Sequence, residues 1–125
     1  MRRQIVKRLL LAAIAAGSLT TVHAIATDNP EHVKQLKETR KCSGCDLQNA
    51  SLEGVNVIDG DLSYADARGA QLYKAELRGA NLTGALFTGA NLKGADLRDT
   101  KGADLVGAVT DEWTKCPNGS AGPCQ

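Results

Sequence analysis

The sequence predicts an all-β chain wound as a parallel β-solenoid, and three features of one stretch predict it. First, residues 45–99 repeat a five-residue phrase without a slip for 11 units: small residue, polar residue, leucine, polar residue, glycine. Ala75-Glu76-Leu77-Arg78-Gly79 and Ala80-Asn81-Leu82-Thr83-Gly84 are consecutive copies, and Arg40 to Gly44 reads as a degenerate further unit. Second, a period of five suits neither regular structure. In a helix five residues advance about 140° beyond a full turn, so the leucines would smear around the cylinder. In a straight strand an odd period sends successive leucines to opposite faces. Third, each unit spaces its small residue and its leucine by two, as in a strand, and then offers a residue suited to turning. Repeated turning in one sense winds the chain into a coil with its leucines inside, and successive coils pair edge to edge.

The central position of each unit defines the expected core column. It comprises Leu47, Leu52, Val57, Leu62, Ala67, Leu72, Leu77, Leu82, Phe87, Leu92 and Leu97. Ala67 is its thin point, and Phe87 fills the space if four units make one turn. The alanine positions fall near corners and leave no room for enlargement.

Residues 1–26 read as an export signal. Arg2, Arg3, Lys7 and Arg8 precede any acid, an apolar run covers Leu9 to Ala16, and cleavage fits after Ala24 or Ala26. That run is too short to span a bilayer, which needs about 20 residues. No membrane span is expected after cleavage, and the expected destination is the periplasm or an equivalent extracytoplasmic compartment. The whole chain carries a formal charge of +1; without those four cations the balance is 11 basic to 14 acidic residues. Neither figure suggests a nucleic-acid partner.

Residues 27–39 are expected to hold a linker and a short helix from Pro30 to about Thr39. Asp28-Asn29-Pro30-Glu31 supplies a cap, an early proline and a first-turn acid. Val33 and Leu36 share one side, and the expected role is to cover the first coil, whose interior and strand edges are otherwise open. The solenoid follows over 40–109 and a terminal cap over 110–125. The register breaks at Thr100-Lys101-Gly102, and Trp113 is expected to lid the open end of the core.

Four cysteines remain as candidates: Cys42, Cys45, Cys116 and Cys124. Cys42-Ser43-Gly44-Cys45 is a CxxC motif, which redox enzymes, zinc sites and structural cysteines all use. Here both cysteines take inward places of the repeat, which favours a structural pair, either a disulfide or two buried thiols. A thiol-redox or metal-linked role through Cys42 and Cys45 is the alternative. Cys116 and Cys124 flank turn-forming residues, and in an oxidising compartment they are expected to form a disulfide.

No enzyme, cofactor or metal is expected. His32 is the only histidine after processing, and no glycine-rich phosphate loop occurs. A leucine-filled coil offers no interior pocket. If four units make one turn, Glu76 stacks on Asp96 and Arg78 on Arg98. That face could recognise a partner, although a solvated ladder of weak surface pairs is the favoured reading. The expected partner is a protein or an envelope polymer, and the oligomeric state is left open.

Ala80-Asn81-Leu82, Ala90-Asn91-Leu92, Ala95-Asp96-Leu97 and Ala103-Asp104-Leu105 share the phrase A-(D/N)-L-x-x. In this the chain resembles the pentapeptide-repeat proteins, from about Arg40 to Ala108. The resemblance implies a right-handed quadrilateral parallel β-helix of about three coils. Its C-terminal segment resembles the Pro-Asp-Gly-Ser ends of exported members, with Asn118 in place of aspartate. The family spans many roles, so the resemblance implies architecture and leaves activity open. Some cytoplasmic members mimic DNA and bind topoisomerases. That reading needs a long acidic coil, and this chain is short, mixed in charge and led by an export signal.

Overall fold

The computed structural model describes residues 28–125. The expected signal segment, 1–26, lies outside them.

Helix α1 spans Pro30–Thr39. Asn29 caps it, accepting the N–H groups of Glu31 and His32, and Pro30 stands where a missing N–H costs nothing. Arg40 ends the helix in the left-handed conformation at φ 58°, with its N–H donated to Leu36 O. Leu36 is fully buried against the coil, and Val33 packs beside it.

From Lys41 onward the chain winds as a four-sided coil. Its sides are single bridging residues rather than long strands. Lys41, Asp61, Asn81 and Lys101 form one parallel ladder, and Asp46, Asp66 and Leu86 the next. Ser51, Gln71, Asn91 and Val109 form the third; Asn56, Glu76, Asp96 and Lys115 form the fourth. Within 41–101 every step has the same length, from Lys41 to Asp61 and from Asp46 to Asp66 alike, so four units of the repeat close one turn.

The backbone explains why the unit has its length. Number its residues one to five from the alanine. Residue one donates its N–H three residues back, as Ala50 does to Leu47 O at 3.1 Å. Residue two donates to the preceding coil, as Gln71 does to Ala50 O at 2.8 Å. Residues three and five donate to the following coil, as Leu52 does to Gln71 O at 2.8 Å and Gly54 to Tyr73 O at 2.9 Å. The fourth N–H has no backbone acceptor, and the side chain of residue two takes it wherever that residue is Asp or Asn. Asn56 accepts from Ile58, Asp61 from Ser63, Asn81 from Thr83 and Asn91 from Lys93, at 2.9–3.2 Å. The recurrent Asp or Asn is therefore an Asx turn that completes the backbone's hydrogen bonding.

The fifth residue is left-handed whether or not it is glycine. Gly54 has φ 65°, and Tyr64 and Lys74 have φ 58° and 56°. A side chain here costs about 1–2 kcal/mol of strain and leans over the same corner of the next coil. Glycine recurs at that next corner: Tyr64 is followed by Gly84, and Lys74 by Gly94.

Every residue of the expected column, from Leu47 to Leu97, is buried, with Ala67 and Phe87 at equivalent places in adjacent coils. Beyond Lys101 the step changes. Asn91 pairs with Val109 where the regular step would bring position 111, and Asp96 with Lys115 where it would bring position 116. Two residues are lost at the Thr100–Gly102 corner and one is regained before Lys115. The chain ends in a hairpin in which Lys115 pairs antiparallel with Ala121.

Trp113 does not lid the core. It is 73% exposed, while Thr114 is fully buried in the place expected of it. The changed step puts residues 112 and 113 on a turn, so the indole points outward. Thr114 Oγ1 lies 3.1 Å from Leu92 O and accepts the Asp111 N–H at 3.0 Å, a pairing tryptophan could not make.

Candidate functional site

The CxxC pair sits where helix meets coil. Cys42 is bonded to Cys45, their Cα atoms 5.3 Å apart. Both are buried. His32 lies over them as part of the structure: its Nδ1 accepts the Asp46 N–H at 2.9 Å. At Asp66 and Leu86, the equivalent places of later coils, that N–H goes to the coil beneath, so the imidazole stands in for a missing coil. Cys116 is bonded to Cys124, and all four cysteines are thereby paired.

The expected interaction face lies on the fourth ladder and its corner. Glu76 bridges Asp96 as parallel neighbours. Arg98 turns back on its own unit, with Nε 2.9 Å from Asp96 Oδ1 and a terminal nitrogen 2.6 Å from Oδ2. The same Asp-x-Arg clamp joins Asp66 to Arg68 on the second ladder, at 2.8 and 2.7 Å. In both, the arginine hydrogen bonds hold the carboxyl below its ordinary range, against the opposing effect of burial. The arginines remain substantially exposed, so each clamp contributes little stability.

Glu76, Arg78 and Asp96 line one shallow groove of about 430 Å³, together with Ile58, Lys74 and Lys115. Arg98 is spent on Asp96 and does not line it. Neither Lys74 nor Lys115 belongs to the face expected from the sequence. Lys74 stands at a corner where glycine is the rule, and the odd step between Asp96 and Lys115 hides the second. The groove is open, polar and mixed in charge. It can dock a complementary surface, and it lacks the enclosure that shifts a catalytic group's proton affinity.

A sequence model described as "Pentapeptide repeats (8 copies)" matches residues 41–79, 68–101 and 75–109. Proteins of that kind fold as right-handed quadrilateral β-helices, the architecture to which the four ladders conform. Among solved structures, the chain is similar to a pentapeptide repeat protein from the Arabidopsis thaliana thylakoid lumen. Identity is 26% over 60% of this chain and 50% of that one, with a TM-score of 0.49. It is also similar to the pentapeptide repeat protein Rfr23 of the cyanobacterium Cyanothece 51142. There identity is 31% over 59% and 52% of the two chains, with a TM-score of 0.29. A third is HetL of Nostoc, involved in heterocyst differentiation regulation, at 26% identity over 66% and 53%, with a TM-score of 0.29. The chain spans about half the length of these proteins. No curated protein matches it.

Proposed function

The chain belongs to the pentapeptide-repeat family, and on that premise we propose that it is an exported, non-catalytic module for structure or protein interaction. In this reading residues 1–26 are a removable signal and α1 caps the first coil. Residues 40–109 form a solenoid of about three coils, and 110–125 close its far end. The observation that carries the reading is how its reactive side chains are employed. Every cysteine is in a disulfide, which suits an oxidising compartment. The His32 Nδ1 is occupied by the Asp46 N–H and completes the first coil. What the fold leaves outward is largely polar and mixed in charge, and suits docking.

A thiol-redox role through Cys42 and Cys45 is less favoured, because both sulfurs are buried and exchange needs an accessible one. A DNA-mimic role is less favoured too, because Arg68, Lys74, Arg78, Lys93, Arg98 and Lys101 interrupt the acids that such a partner would read.

Cell fractionation with a C-terminal tag tests the reading. The expected result is a chain in the extracytoplasmic fraction, trimmed after Ala24 or Ala26, whose cysteines alkylate only after reduction. A full-length cytoplasmic chain with four free thiols refutes it. Charge reversal at Glu76 and Arg78 should then release any protein that co-purifies in stoichiometric amount.

A further inference from the structure

We propose that the corner formed by Tyr73, Lys74, Gly94, Asp111 and Trp113 is a saccharide-binding site that takes one pyranose ring against the indole. The proposal rests on the reading above for where a polymer would be met, and it names the class of that polymer.

Trp113 is the only tryptophan of the chain, and the fold holds it outward on a fixed turn. Its backbone N–H donates to Asp111 Oδ1 at 3.1 Å, and the next residue, Thr114, is anchored in the core. Tyr73 stands nearby, 41% exposed, with Lys74 Nζ 5.2 Å from its ring centroid. Gly94 lies between these groups. A Cβ there would stand 3.2 Å from Lys74 Cγ and 4.0 Å from Tyr73 Cε2. A groove of about 430 Å³ is lined by these five residues. That volume falls within the range of small-ligand clefts, about 300–1,000 Å³.

Asp111 sets the polar chemistry. Its Oδ1 accepts from the backbone N–H groups of Gly94 at 3.0 Å and of Trp113, and lies 3.1 Å from Thr114 Oγ1. Among the described residues, none of these bonds uses Oδ2. Burial pushes the carboxyl up, but the hydrogen bonds from Gly94, Thr114 and Trp113 outweigh it and hold the group below its ordinary range. The carboxylate is thus ionised, fixed and supplied with an acceptor oxygen to spare.

An occupant must meet flat aromatic carbon, a fixed carboxylate acceptor and an ammonium donor in one small space. A purely apolar ligand would strip water from Asp111 and Lys74 without replacing it. A cationic ligand would meet Lys74, already placed at the Tyr73 ring. A pyranose satisfies all three demands. Its C–H face packs on an indole, one hydroxyl donates to the carboxylate and another accepts from the ammonium.

The single tryptophan reports directly on the site. Purified full-length protein is titrated with cellotetraose, chitotetraose and tetragalacturonate, following indole emission and heat. The expected result is a saturable response to at least one of them. Trp113→Ala and Tyr73→Ala, followed by heat, should each weaken it about tenfold with unchanged melting. Tyr64→Ala, at another corner, should leave it intact. No saturable response to any of the three up to about 10 mM overturns the proposal, as does binding that survives both variants. These measurements use purified protein in buffer, so failure here leaves the export reading to stand or fall on fractionation.

Discussion

Gly60→Ala gives this chain the residue its own repeat prefers, and it should nevertheless destabilise it. The first position of the unit is alanine at 50, 65, 70, 75, 80, 85, 90 and 95; Gly60 departs from this one coil before Ala80. Its backbone is not left-handed, so no conformational demand requires glycine there. At such a site alanine ordinarily adds about 0.4–1 kcal/mol by restricting the unfolded chain. Here a Cβ would run into Arg40 O and stand 2.6 Å from Val57 Cγ1. Neither can yield freely. Arg40 O accepts the Asp61 N–H at 2.9 Å, and Arg40 itself is the left-handed residue that ends α1. Val57 is fully buried. Overpacking of this kind costs about 1–3 kcal/mol, which exceeds the entropic gain. A net loss of about 1–2 kcal/mol corresponds to a Tm lowered by roughly 5–15 °C in a domain of this size. Thermal melting by circular dichroism measures it. One coil later the preference should reverse, with Ala80→Gly costing at least about 0.5–1 kcal/mol. Val57→Ala should cost less in the Gly60→Ala background than alone, because it removes one of the contacts. A Gly60→Ala protein that melts at or above the parent temperature would refute the account of how helix joins coil.

Three other perturbations test separate parts of the fold. Leu77 is fully buried at the middle of the column; Leu77→Ala should cost about 2–5 kcal/mol, and Leu77→Asp should abolish cooperative melting, so an unchanged melt in either contradicts the register. Leu86 occupies a second position of the unit with its side chain 48% exposed; Leu86→Asn should give the Thr88 N–H an acceptor and raise stability by about 0.5–1.5 kcal/mol, and a lowered denaturation midpoint would count against the Asx reading. Asp61, Asp66 and Asp96 all have lowered folded-state pKa values, through hydrogen bonds from Ser63, Arg68 and Arg98 respectively. Unfolded, these groups bind protons more readily, so their contribution is complete above about pH 4 and fades as pH falls through the lower folded values. Tm should therefore hold from neutral pH to about 4 and drop below it; a Tm that rises on acidification would reverse the sign argued here.

The coil was legible in the sequence because period five imposes a geometric problem with few solutions. The alanine–leucine spacing named every buried residue of the column, from Leu47 to Leu97. Helix α1 was legible for a different reason, since Asn29, Pro30 and Glu31 announce a helix start locally. Trp113 was misplaced because size suggested a lid. Its position depended on a loss and a partial regain of residues that displace Val109 and Lys115 from the regular step. The sum of those changes decides which residue faces inward, and sequence alone shows only the first break. Gly60 was invisible for a related reason. Its neighbour is the Arg40 carbonyl, one coil earlier in the chain and left in place by a helix end.

Function in this repeat can reside where no structural duty holds the side chain. Residues one and three fill the interior. Residue two satisfies the fourth N–H with its side chain wherever it is Asp or Asn. Residue five is left-handed and crowded by the next corner. The fourth side chain carries no recurrent structural duty and is chemically diverse: Glu53, Ile58, Arg68, Tyr73, Arg78, Lys93 and Arg98 all occupy it. Arg68 and Arg98 fold back on their own aspartates, which leaves fewer as candidates for contact. Beyond the register break Asp111 also accepts the backbone N–H two residues on, although the pairing of Asp96 with Lys115 sets Trp113 level with Gly94. Tyr73 and Arg78 are outward as fourth residues and Trp113 through the changed step, and single substitutions at them should alter binding while leaving the coil folded.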